Sequence, residues 1–331
     1  MHFFLKNIIF LIIFSIFTYN VSASELTSSG FSKWLVTYKN FALENGVSQK
    51  TIDLAFKNVK FIEKVITYDR KQPEFFEDTN TYVGKRASKA RVKKAKKLLN
   101  KNNELFNEIE KKFKVEKEIL LALWGIETNF GKHVGKMDII SSLATLSYDK
   151  RRSEFFSSQL LTLLKLIDKQ LIEPSQLYGS WAGAYGNFQF MPSTINDYAI
   201  DYDKNNKIEL KESLIDSLAS AANYIQKIGW KRNEPCFYKV QLNKEIKKKY
   251  LNFSARKMHH KKKISQWKKL GVVDLDNLNL KNDSKAFLVI PDGKTGSPTF
   301  LVFDNYEKIL KWNRSLRFGI SICTLAEMIK S

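Results

Sequence analysis

The sequence predicts a mainly helical protein of the α+β kind, with one irregular insertion that carries short β segments. Three observations support this. Apolar residues recur at helical spacing through most of the chain. One stretch, Val115 to Glu127, is apolar on nearly every side after Glu118, as a buried helix is. Between Pro235 and Phe303 the pattern changes to Gly, Asn and Asp turns separated by short β-like runs. The chain has 331 residues, 44% apolar and 27% charged. At roughly 150 residues per domain this is about two domains with ample core, which excludes a disordered or fibrous chain.

The elements follow in order. Residues 1–23 read as a cleavable secretory signal peptide: a single charge (Lys6), an apolar run from Ile8 to Phe17 broken by Ser15, then Val21-Ser22-Ala23. That run is too short to cross about 30 Å of hydrocarbon comfortably. No Cys lies near the cleavage point, so no lipid anchor is expected. An N-terminal helical region covers 24–114, with a helix over Ser32–Phe56 and a long basic amphipathic stretch over Tyr82–Phe113. A central unit covers 115–234. It opens with the Val115–Glu127 helix, stopped at Gly131, continues through Phe155–Leu171 before Pro174, and closes with Leu214–Ile228 before Gly229. The insertion covers 235–303, with β-like runs at Phe237–Val240, Ala286–Ile290 and Thr299–Phe303. Its run Lys257–Lys269 (KMHHKKKISQWKK) is the densest in basic residues and reads as a mobile exposed segment. The segment 304–331 returns to helix over Asn313–Lys330.

Fifty-five basic against 34 acidic residues give +21, or +20 without Lys6. In a cytoplasmic protein that charge would suggest nucleic acid. In an exported one it points to cell-wall carboxylates or lipid phosphates, or to a solvated surface with no partner, and nucleic acid is not expected. Export also places Cys236 and Cys323 in an oxidising compartment, where one disulfide is open to them. Their spacing does not show that they meet, and two buried thiols fit equally.

The chemistry is narrowed by what is missing. There is no G-x-S-x-G, no H-E-x-x-H and no dinucleotide-binding glycine motif, and Gly131–Met137 lacks the spacing and the Ser or Thr of a phosphate loop. Acid–base work by a carboxyl remains. Glu127 closes the buried helix beside Trp124, Ile126 and Phe130, where burial favours the protonated form that a general acid requires. A Glu that reaches solvent at the helix end fits the local sequence as well. The cluster Ser180–Thr194 mixes small residues, aromatics and amide or hydroxyl donors, as a sugar cleft or a packed junction would. Asp201, Asp203, Asn205, Lys207 (through its carbonyl), Glu209 and Glu212 fit a twelve-residue EF-hand-like loop for a structural Ca²⁺, with Asn206 in place of the usual Gly. Lys204, Lys207 and Lys211 weaken it, and an ion-free polar turn has the same pattern.

Five blocks together resemble the lytic murein transglycosylase B family (glycoside hydrolase family 103). They are Trp124–Gly131 (WGIETNFG), Ser142–Tyr148 with Arg151, Arg152 and Phe155, Ala182–Ala184 with Gln189–Ser193, Ala222–Tyr224 with Gly229–Trp230, and Tyr306 with Trp312–Ser315. The resemblance runs from about residue 30 to the C-terminus. It implies a lysozyme-like helical core and cleavage of the MurNAc–GlcNAc β-1,4 bond of peptidoglycan in the periplasm. It implies Glu127 as the single catalytic carboxyl, with Ser180, Gln189, Phe190, Tyr224, Asn313 and Tyr82 contacting glycan. No cofactor is needed for catalysis, the partner is the glycan strand, no stable membrane anchor is expected, and the chain is read as a monomer. Two departures stand out: Phe188 where relatives carry a small residue, which bears on cleft width, and Trp312 where Tyr is common, which changes the hydrogen-bonding tip. Two alternatives stay open. One is a hydrolytic muramidase using a second carboxylate such as Asp149 or Asp201; the other is a wall-binding protein without catalysis.

Overall fold

Helix-breaking residues divide the N-terminal region more finely than its periodicity suggests. In the computed structural model, which describes residues 26–71, 77–275, 280–294 and 296–331, the stretch expected as one helix is two, α1 (Ser28–Glu44) and α2 (Gln49–Phe56). Gly46 turns between them at φ +87°, and the Ser48 side chain caps α2 by accepting from the Thr51 N–H. The expected leader lies outside the described residues. After α3 (Glu63–Arg70), the basic amphipathic stretch becomes α4 (Thr79–Arg86), α5 (Lys89–Lys101) and α6 (Asn103–Phe113), interrupted where Ser88 caps α5 and at Asn102.

The buried helix is α7 (Lys117–Thr128). It packs against α5 and α6. A two-residue strand β1 (Met137–Asp138) precedes α8 (Ile139–Tyr148) and α9 (Ser153–Asp168), and it pairs antiparallel with β2 (Tyr178–Gly179). Arg151 and Arg152, between α8 and α9, converge on the buried Asp69 of α3, so this pair fastens helices. Then come α10 (Pro192–Tyr198) and α11 (Leu214–Lys227).

The insertion holds β3 (Phe237–Leu242), β4 (Leu251–Asn252), β5 (Lys262–Lys263), α12 (Ile264–Leu270), β6 (Val272–Val273), β7 (Lys285–Val289) and β8 (Thr299–Val302). Strands run in the order β4-β7-β8-β3-β6, with β5 also on β7; β4 and β7 are parallel and the other pairs antiparallel. Period-two alternation sends Phe287, Val289, Phe300 and Val302 into the main helical core, and Ala286, Leu288, Leu301 and Phe303 into a second core under α12. Both faces are therefore buried, which is why β7 and β8 read as continuous apolar runs. The expectation of a mobile segment over Lys257–Lys269 is corrected here. Trp267 of α12 is 0% exposed, and its indole donates to the Ala286 carbonyl at 2.9 Å. Burying Ile264 and Trp267 orders the segment despite its lysines.

The chain closes with α13 (Asp304–Trp312) and α14 (Leu316–Lys330); α14 packs along α7. Cys236, at the entrance to β3, and Cys323, in α14, form a disulfide. Among the described residues no helix is long and apolar enough to cross a membrane.

Candidate active site

Glu127 stands in the last turn of α7, half-buried, with Trp124 and Gly125 before it and Thr128 after it. The helix ends at Thr128, three residues before the expected stop, because Asn129, Phe130 and Gly131 all take left-handed backbone angles (φ 52°, 59° and 78°). That geometry is costly for Phe and Asn and needs support. The Phe130 N–H donates to the Trp124 carbonyl, Gly131 N–H to Thr128 Oγ1 at 3.0 Å, and Lys94 of α5 donates to the Asn129 carbonyl at 2.9 Å. Gly125 leaves room for the Phe130 ring, which a Cβ at that position would meet at 2.8 Å.

Trp312, the last residue of α13, reaches across from the other end of the sequence and donates its indole N–H to Glu127 Oε1 at 3.0 Å. Around it the rings form a wall. Tyr224 stacks on Trp312 (centroids 5.1 Å, 25°), Tyr198 stacks on Tyr224 (4.4 Å, 27°), and Phe190 lies 5.3 Å from Trp312 with Phe188 behind it. Phe188 is fully buried in this packing, so it supports the wall rather than projecting from it. The Tyr224 hydroxyl donates to the Lys311 carbonyl, and burial pushes it up to about 12 from the usual tyrosine value near 10. It stays a neutral phenol at any physiological pH.

The loop 180–190 supplies the facing groups. Residues 185 and 190 pair as a tight bridge with Gln189 left-handed at its tip (φ 51°). The Gln189 amide nitrogen donates to the Gly186 and Val134 carbonyls at 2.9 and 3.1 Å, which leaves its carbonyl oxygen for other use. Ser180 Oγ accepts from the Ala182 and Ala184 N–H groups, so its proton remains available for donation. Phe190 and Tyr224 thus pack on Trp312 and Asn313 follows it directly, while Gln189 and Ser180 lie on the loop that carries Phe190. Two of the expected glycan contacts are buried. Phe190 is buried within the wall. Tyr82 is 1% exposed, with the Arg86 guanidinium 3.3 Å above its ring.

Asn187 lies beside Glu127 and has no local feature that singles it out. Its Oδ1 accepts from Trp124 Nε1 at 3.1 Å, its Nδ2 donates to the Lys211 carbonyl at 2.9 Å and to Ser217 Oγ at 3.2 Å, and its backbone carbonyl accepts from Thr128 Oγ1 at 2.8 Å. One buried amide therefore joins the loop 180–190, the turn before α11 and both flanks of Glu127.

The polar loop that ends at this turn brings carboxylate oxygens of Asp201, Asp203 and Asp216 within 4.8 Å of one another. Partial desolvation, then the neighbouring Asp216 and Asp201 charges, hold the Asp203 carboxyl above its usual range, a situation a divalent cation would relieve. Three of the other expected ligands have side-chain partners of their own. Asn205 Nδ2 donates to Glu209 Oε2, and Glu212 is exposed, 3.4 Å from Lys211. Asp216 replaces Glu212 in the cluster because α11 does not begin until Leu214, after the Ser213 cap, so the carboxylate that turns inward lies four residues later. The twelve-residue frame could not reach it. Asp216 is fully buried and accepts from the Tyr202 and Glu209 N–H groups.

Comparison with known proteins agrees with this geometry. The sequence profile of the Transglycosylase SLT domain matches residues 30–327. Membrane-bound lytic murein transglycosylase B of Escherichia coli (strain K12) is 30% identical over 231 residues, 70% of this chain; the match spans 61% of that relative's length. Among solved structures, SltB3 from Pseudomonas aeruginosa in complex with NAG-anhNAM-pentapeptide superposes with a TM-score of 0.81 at 34% identity, covering 91% of this chain and 80% of that one. Escherichia coli Slt35 in complex with calcium gives 0.75 at 25% identity, covering 92% and 93%.

Proposed function

The chain belongs to the Transglycosylase SLT domain family, and from that premise we propose that it is a lytic transglycosylase, cleaving the MurNAc–GlcNAc β-1,4 bond of peptidoglycan and leaving 1,6-anhydro-MurNAc ends. The observation that carries the reading is Glu127, held half-buried at the end of α7 with one carboxyl oxygen on the Trp312 indole beside an aromatic wall.

An indole N–H donates and cannot accept, so Oε1 is kept as an acceptor and the transferable proton sits on Oε2. Protonated Glu127 gives that proton to the glycosidic oxygen as the C1–O4 bond breaks, and the GlcNAc departs with a free hydroxyl. The N-acetyl carbonyl of the MurNAc stabilises the anomeric cation, the substrate-assisted alternative to a second carboxylate. The Glu127 carboxylate then removes the C6 hydroxyl proton, and O6 bonds to C1. No water is consumed. General acid–base help of this kind contributes about 10²–10⁴-fold, and positioning of the C6 hydroxyl must supply much of the rest. Ser180, the Gln189 carbonyl oxygen, Tyr224 and Asn313 are the groups assigned to hold the glycan.

The two carboxylates named for a hydrolytic muramidase have other partners. Asp149 accepts two bonds from Arg70 at 3.1 Å, and Asp201 accepts the Asn205 and Asn206 N–H groups. Asp201, Asp203 and Asp216 are proposed to hold a structural calcium ion, with export to the periplasm by a cleaved leader at residues 1–23. The deciding experiment is mass spectrometry of digested peptidoglycan. Anhydro ends are expected with the wild type and none with a folded Glu127→Gln variant; reducing ends would make the enzyme a hydrolase.

A further inference from the structure

The helix α5 carries seven cationic residues in thirteen (KARVKKAKKLLNK) and no acidic one. Lys89, Lys93, Lys96, Lys97 and Lys101 are exposed and fall on one stripe at spacings of three and four, about 18 Å long at ~1.5 Å per residue. Among the described residues none of the five takes part in an ion pair or a side-chain hydrogen bond. Glu77, the acid that precedes them on α4's side, is taken up by Lys85 and Arg86. The arrangement works against the helix itself, because like charges three and four residues apart repel. Lys89 also places a cation in the first turn, at the positive end of the helix dipole.

The inner side of the same helix braces the catalytic turn. The Arg91 side chain packs over Gly125, two residues before Glu127, and Lys94 holds the Asn129 carbonyl, two residues after it. The helix thus carries its exposed cations on one side and braces the catalytic turn with the other, and the anions that the proposed reaction brings to this helix are those borne by the polymer being cut.

We propose that the exposed face of α5 is a docking surface for the carboxylates of the peptide branches of peptidoglycan, retaining the enzyme on peptide-bearing strands. The inference rests on the transglycosylase reading for the identity of the polymer. The face attracts by charge without specific geometry, so the binding is sensitive to salt, and the bond-breaking step does not depend on it.

The test is sedimentation with insoluble peptidoglycan over a range of sodium chloride concentrations. It compares the wild type with K93E/K96E/K97E and the charge-neutral K93Q/K96Q/K97Q, on intact material and on glycan stripped of its peptides by an amidase. Wild-type retention on intact material is expected to fall with salt and to be much weaker on stripped glycan. The reversed variant should lose at least about tenfold of its retention on intact material, the neutral variant an intermediate amount, while turnover of stripped glycan stays at the wild-type level. Equal retention of the three proteins, or equal wild-type retention on both materials, overturns the proposal. So does stronger wild-type binding to phosphatidylglycerol vesicles than to peptidoglycan, abolished in the reversed variant, since that assigns the face to lipid phosphate. Sedimentation is read separately from products, so absence of anhydro ends would remove the enzymatic reading without deciding the retention result.

Discussion

At the scale of single residues, the bond between Trp312 and Glu127 has the most direct chemical consequence. Trp312→Phe keeps a ring against Tyr224 and Phe190 and removes one donor from the carboxyl. A hydrogen bond to a charged group is worth about 1.5–3 kcal/mol, so turnover is expected to fall roughly ten- to a hundredfold with little change in glycan KM, as measured by steady-state kinetics. A rise in KM alone would mean that the indole serves as a stacking face. Asn187 makes a second case. Asn187→Leu strands the Trp124 N–H and leaves the Lys211 carbonyl and Ser217 hydroxyl without their amide partner, all near the protein interior. Unsatisfied groups of this kind cost about 1–3 kcal/mol, and calorimetry should show Tm lowered by roughly 5–10 °C. Glu127 could be singled out in the sequence because it interrupts an apolar run. The importance of Asn187 could not, because nothing local predicts that Trp124, Lys211 and Ser217 converge on it.

At the scale of elements, the helix ends do much of the organising. Asp168, closing α9, accepts from Ser48 Oγ at 2.5 Å and Thr51 Oγ1 at 2.6 Å at the start of α2, and these donors hold its carboxyl below the usual range. A depressed folded-state value means that the contribution to stability is present above the unfolded value near 3.9 and is lost as pH falls through the lower folded value. The Tm difference between wild type and Asp168→Asn should therefore shrink below about pH 4, when thermal melts are run across the acid range. The acidic loop yields a sharper discrimination. Saturating calcium is expected to raise the Tm of the wild type and of Glu212→Gln, and to leave Asp216→Asn unchanged. The reverse pattern would restore the twelve-residue frame read from the sequence. That frame stops at Glu212, and Asp216 lies beyond it because local pattern does not show where α11 begins.

At the scale of the whole molecule, two cores share one sheet, and the disulfide between Cys236 and Cys323 fastens the insertion to α14, which itself lies along α7. The insertion thus connects to the helix that carries Glu127 through covalent and packing links, although it contributes no residue to the aromatic wall. The basic run 257–269 illustrates how this scale overrides composition: its lysines alone suggest a mobile segment, yet Trp267 and Ile264 seat it against the second core.

The helical class, the β insertion, the buried helix with its terminal Glu, and the family are all legible along the chain. These are written in short-range periodicity and in motifs whose residues lie close together. Folding in three dimensions is what makes Trp312, 185 positions away, a donor to Glu127, gathers Asp216 and not Glu212 with Asp201 and Asp203, buries Phe190 and Tyr82, and joins the two cysteines. Each of these depends on how distant helices pack, and packing is settled by burial and shape across the whole core rather than by any local pattern.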